Sequence, residues 1–209
     1  LCADEVICSF GRFGHWFASE RFGVVPDMIT FAKGVTSAYQ PLGGLAIRGP
    51  LVAEVYDSPM ATYMHGSTFG GHPVATAVAV ANMTAMRDEG LLDHVMATEG
   101  DFADRLQDLA DHHRCLGEVR GAGFFYAVDL CADRDEGIAL SASQEAGLQG
   151  GVLSGFIRQA RTTIRPDDRG YTGLSISPPL IADSEVIGDL VDRVDQILTR
   201  VDDWLDHND

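Results

Sequence analysis

A carboxylate, Asp4, and the only lysine, Lys33, each close a short apolar run near the start of this chain. Asp4 follows Leu1-Cys2-Ala3, and Lys33 follows Met28-Ile29-Thr30-Phe31-Ala32 and precedes Gly34. Runs this short suit buried strands better than helices, and open α/β sheets gather ligand groups at the carboxyl ends of their strands. An acid and an amine at two such ends can converge on one cleft. An amine kept from bulk water becomes a nucleophile for Schiff-base chemistry. The setting of Lys33 favours that use, because the other fourteen cations are all arginine. Spacing alone leaves two plainer roles open: Asp4 as a cap or ion-pair partner, and Lys33 as an ordinary exposed charge.

Other polar residues read as structural. His65 and His72 lie in a glycine-rich loop and are expected to pack or hydrogen-bond within it, Glu5 is expected to hold the loop near Arg12, and His112 and His113 are placed on a helix surface. Arg165, between a branched run and Pro166, reads on spacing alone as a surface ion pair. Cys2, Cys8, Cys115 and Cys131 show no C-x-x-C spacing, and no histidine pair has a third ligand nearby. Reduced thiols, an intracellular setting and no metal site are therefore expected.

The elements that must hold these residues follow from periodicity and punctuation. After the two strand tips, Gly43 to Arg48 reads as a third strand, Pro50 to Tyr56 as a helix opened by proline, and Ser58 to Gly71 as a long loop. Pro73 to Glu89 is an alanine-rich helix stopped by Gly90, and Leu92 to His113 an amphipathic one. Leu116 to Leu130 suggests strands and Ser143 to Ala160 a helix despite four glycines; Thr162 to Arg165 and Gly173 to Ser177 are strands, and Asp183 to Leu205 is a last helix capped by Asp183 or Ser184. The order implies an α/β part over residues 1–95 and a smaller α+β part over 96–209.

Composition narrows the class. The 209 residues are 45% hydrophobic and 22% charged, as in a globular chain. The longest weakly polar run, Pro73 to Met86, has 14 residues, short of the ~20 that cross a bilayer as a helix. Thirty-one acids against 15 Lys+Arg give a net charge of −16 without a basic stripe, so neither nucleic acid nor membrane is an expected partner. The chain opens without a charged, apolar and small-residue leader, which suggests a cytoplasmic protein and a start inside a structural element.

The stretch ADEVICSFGRFGHWFASERFGVVPDMITFAKGVTSAYQPLGG resembles the signature of class III pyridoxal-phosphate (PLP) aminotransferases of fold type I, the group containing ω-amino-acid:pyruvate transaminases. Downstream, HGSTFGGHP, VRGAGFFYAVDL and IRPDDRGYTGLSISPPL resemble later segments of the same family, so the likeness covers the whole chain. It implies residues 1–95 as the second half of the PLP-binding large domain, with a mixed, mostly parallel sheet and flanking helices, and 96–209 as the small α+β domain. By position it implies that Asp4 pairs with the pyridine nitrogen, Val6 packs on the ring, Lys33 carries the cofactor and moves the substrate proton, Thr68 bonds the phosphate across a homodimer interface, and Arg165 binds a substrate carboxylate. The implied reaction moves an amino group from an amine or ω-amino acid to a keto acid such as pyruvate. The same fold also supports decarboxylase, aminomutase or racemase chemistry. Ser9, Phe13 and Ala38 depart from residues common in the family, which bears on specificity. The family's phosphate loop and ring-stacking aromatic belong to an amino-terminal half that these residues do not contain, so a catalytically incomplete fragment is the non-enzymatic alternative.

Overall fold

The computed structural model describes residues 1–57 and 64–208 and divides into two compact units, Leu1–Val95 and Met96–Asp209.

In the first unit, β1 (Cys2–Asp4) pairs in parallel with β2 (Met28–Phe31), which pairs antiparallel with β3 (Gly44–Ile47). The loop between β1 and β2 contains the short helix α1 (Ala18–Arg21) and an aromatic cluster. Phe10 lies 5.6 Å from Phe17 and 5.7 Å from Phe31 between ring centroids, so this apolar contact ties the loop down onto β2. After β2 the chain makes a 3-10 turn over Lys33–Thr36; β3 then leads into α2 (Gly49–Tyr56), with a proline in its first turn. The helix α3 (Pro73–Asp88) buries Ala75, Ala79 and Met86, an apolar stripe at helical spacing. Part of the expected loop from Ser58 to Gly71 lies outside the described residues.

One expectation for this unit needs correction. Among the described residues β1 is hydrogen-bonded on one side only, and Cys2 and Asp4 are exposed rather than buried in a strand interior. Glu5 is 3% exposed, and its carboxylate receives the backbone N–H groups of Ala18 and Ser19, the latter at 2.9 Å. It therefore satisfies the open donors at the start of α1.

The helix α4 (Leu91–Asp108) runs through the boundary into the second unit, whose antiparallel sheet has the order β4-β5-β7-β6. Its strands are β4 (Leu116–Ala122), β5 (Phe125–Leu130), β6 (Arg165–Asp167) and β7 (Gly173–Ile176). One face packs Tyr126, Val128, Leu174 and Ile176 into a core with Phe102 and Leu106 of α4. The long α7 (Ser184–Leu205) adds Ile187, Val191, Val194, Ile197, Leu198, Val201 and Leu205 to the buried set. Asp183 caps α7, accepting the Val186 N–H at 2.9 Å.

Three boundaries shift. The amphipathic helix ends at Asp108 and a 3-10 turn over Leu109–Asp111 carries the chain inward, so His113 is 5% exposed and not on a helix surface. The glycine-containing helix divides into α5 (Ala142–Gly147), a π-helical turn at Leu148–Val152 and α6 (Leu153–Gln159), broken where Gly151 takes φ 127°. The strand expected at Thr162 to Arg165 lies instead at Arg165–Asp167, on the sheet edge, where a proline without N–H is tolerated.

Candidate active site

The parallel register of β1 and β2 sets Asp4 opposite Thr30, and Lys33 begins the 3-10 turn that follows β2. The two candidate groups thus stand at the carboxyl ends of adjacent parallel strands. Asp4 Oδ1 accepts the Thr30 hydroxyl at 3.0 Å and the Val6 N–H at 3.2 Å. These bonds orient the carboxylate, while Oδ2 takes no hydrogen bond among the described residues. Val6, directly after this acid pair, is half-buried.

Lys33 adopts φ 42°, in the left-handed region that a side chain rarely occupies. The turn is pinned from α3: Asn82 Nδ2 donates to the carbonyls of Gly34 at 2.9 Å and Val35 at 3.2 Å. Backbone held in a disfavoured region by surrounding bonds is a frequent feature of functional sites. The side chain of Lys33 is exposed, contrary to the expectation of a desolvated amine, because the three-stranded sheet of this unit leaves that strand tip uncovered. The amine makes no ion pair among the described residues.

Thr68 starts an exposed turn ahead of α3, and its hydroxyl has no partner among the described residues. His72, at the head of α3, accepts the Thr76 hydroxyl through its carbonyl, and its N–H donates to the Phe69 carbonyl of the preceding loop at 3.2 Å. Arg165 is exposed on β6, opposite Ser175 of β7, and its side chain makes no hydrogen bond or ion pair among the described residues. Its role as a surface ion pair is therefore not observed. Asp4, Lys33 and Thr68 share the first unit, whereas Arg165 belongs to the second.

Sequence reasoning did not single out Thr30 and Asn82. Thr30 becomes a partner of Asp4 only through strand pairing. Asn82 left one signal, an amide side chain on a helix otherwise rich in alanine and valine. The donor set suits PLP: a primary amine that can bond its carbonyl carbon, and an oriented carboxylate with one oxygen free for a ring N–H. Among the described residues no group of three or more His, Cys, Asp or Glu could hold a metal ion, and no helix is long and apolar enough to cross a membrane.

Residues 1–198 match the family described as aminotransferase class-III. The chain is 41% identical over 182 residues to a probable aminotransferase of Mycobacterium tuberculosis, covering 87% of this chain and 38% of that protein. It is 38% identical over 197 residues to the putrescine–pyruvate aminotransferase of Pseudomonas aeruginosa, covering 90% of this chain and 40% of that protein. A crystal structure of the ω-transaminase from Pseudomonas jessenii in complex with PMP superposes with a TM-score of 0.86 at 34% identity, over 98% of this chain and 44% of that one. The chain thus spans less than half the length of these relatives, and its mixed α/β architecture is that of fold type I transaminases. On the family match over residues 1–198 and these identities, this chain belongs to the class III aminotransferases.

Proposed function

We propose that the protein is a PLP-dependent aminotransferase that moves an amino group from an amine or ω-amino acid to a keto acid such as pyruvate. The observation that carries this reading is the placement of Asp4 and Lys33 at the ends of adjacent parallel strands, in a chain of this family. Bound PLP supplies an electron sink for negative charge at a substrate Cα. Asp4, oriented by Thr30 and Val6, keeps a proton on the pyridine nitrogen through Oδ2. Val6 packs against the ring. Lys33 Nζ is the amine that would hold the cofactor, and with substrate bound it would take the proton from Cα as general base and return it as general acid. Thr68 Oγ1 donates to the phosphate of the partner site in a homodimer. Arg165 receives the substrate carboxylate with its planar fork. The pyruvate-dependent name of one relative and the PMP bound in another support the substrate class and the cofactor. Small-molecule substrates and a cytoplasmic location complete the reading, with no nucleic-acid or membrane partner.

Borohydride reduction of the full-length protein with PLP tests the assignment, since it fixes the cofactor to the amine that holds it. A pyridoxyl label on the peptide containing Lys33, with amine-dependent conversion of a keto acid to its amino acid, is the expected result. A label confined to another lysine removes Lys33 from the mechanism.

A further inference from the structure

Acids and arginines on the open face of the second sheet pair off and leave Arg165 over. Residues opposite one another in register share a sheet face. Arg120, Ala127, Ser175 and Arg165 thus form one row across β4-β5-β7-β6, and Glu118, Asp129, Gly173 and Asp167 form the next. Arg120 grips Asp129 through Nε at 3.1 Å and Nη2 at 2.8 Å, and its guanidinium lies 4.6 Å from the Tyr171 ring centroid. Arg169 folds back onto Asp167: its backbone N–H and Nε reach Oδ1 at 3.2 and 2.9 Å, and Nη2 reaches Oδ2 at 2.6 Å.

Asp167 is only 3% exposed, so water cannot replace a lost partner and the carboxylate must be neutralised by a neighbouring cation. Arg165 stands two residues earlier on the same strand face, about 7 Å away along the strand. It is a second cation able to reach that carboxylate, and Arg169 already occupies both oxygens. We propose that Arg169, by saturating Asp167, keeps the Arg165 guanidinium available to a substrate carboxylate, and is thereby a positioning residue that sets the preference for keto acids over carboxylate-free amines. The proposal rests on the role assigned above to Arg165.

The test compares Arg169→Gln, Arg169→Lys, Arg169→Gln/Asp167→Asn and Arg165→Ala in the full-length, PLP-loaded protein. KM and kcat are measured for the keto-acid half-reaction apart from the amine half-reaction, and binding of propionate, an unreactive carboxylate, is titrated by calorimetry. Arg169→Gln is expected to raise the keto-acid KM and the propionate Kd by five- to tenfold, with kcat changed less than twofold. Adding Asp167→Asn removes the competing carboxylate and returns both constants to within twofold of the parent. Should Arg169→Gln fail to fold, Arg169→Lys, with its single ammonium contact, is read instead, and a two- to threefold rise in both constants is expected. The proposal falls if Arg165→Ala raises the keto-acid KM while the Arg169 variants leave it unchanged, or if the double variant stays as impaired as Arg169→Gln. An Arg165→Ala protein with an unaltered keto-acid KM withdraws the Arg165 assignment itself, and this inference with it.

Discussion

Replacing His113 by leucine should destabilise the protein near pH 6 and much less at alkaline pH. The ring lies between two carboxylates of α7 seven residues apart, with Nδ1 at 2.8 Å from Asp202 Oδ2 and Nε2 at 2.9 Å from Asp195 Oδ1. Two acceptors favour a proton on both nitrogens, and these contacts, with Asp202 foremost, raise the His113 pKa despite the opposing effect of burial. Burial works to raise the pKa of Asp202, but the bonds from His113 and Cys115 outweigh it and bring it below the usual carboxylate range. The Asp202 side chain is 20% exposed and that of Asp195 is 47% exposed. The inner bond, made to a charged group, is therefore worth about 1.5–3 kcal/mol, and the outer, surface-screened one about 0–1 kcal/mol. Their sum, about 1.5–4 kcal/mol, is the destabilisation expected of His113→Leu where the imidazolium persists. Because the folded pKa lies above the unfolded value of about 6.5, this stabilisation is complete below that pH and fades as pH rises through the folded pKa. A neutral ring still donates one bond, leaving about 1 kcal/mol. Urea unfolding of parent and variant, followed by tryptophan fluorescence at steps between about pH 6 and pH 10, measures the difference. A deficit that does not shrink with rising pH would refute the ionic account of this contact.

Two further outcomes are expected. Asp4→Asn should preserve the fold of the exposed strand tip and slow proton transfer at substrate Cα by orders of magnitude, tenfold for each ~1.4 kcal/mol of lost transition-state stabilisation; transamination at the parent rate in single-turnover absorbance measurements would make Asp4 merely structural. Gly173→Ala should lower the melting temperature, because a Cβ there would stand 2.4 Å from the Val128 carbonyl oxygen and 3.0 Å from the Tyr171 ring. The strand must shift to admit it, at a cost of about 1–3 kcal/mol, and an unchanged melting curve would count against the close packing of β5 on β7.

The candidate site was legible where chemistry and strand length coincide on adjacent residues. Asp4 and Lys33 stand out because a charged group directly after a short apolar run marks a strand tip, and the pairing of β1 with β2 sets those tips side by side. Their partners were not legible in the same way. Thr30 meets Asp4 across 26 residues of sequence, and Asn82 reaches the Lys33 turn from a helix 47 and 48 residues further on. Neither separation leaves a period that a local window can register.

By itself the sequence determined which segments could be strands or helices, because side-chain periodicity and end-capping groups act over a few residues. The apolar spacing of α7 and its Asp183 cap, or the alternation of Tyr126, Val128 and Leu130 in β5, are of this kind. Tertiary structure alone decided which polar groups are committed and which are free. Glu5 was drawn to the start of α1, His113 was carried inside between Asp195 and Asp202, and Asp167 was claimed by Arg169 and not by Arg165. A buried charge takes whichever opposite charge or donor the fold brings within about 3 Å. That choice depends on distances in space across elements remote in the chain, which composition and spacing do not encode.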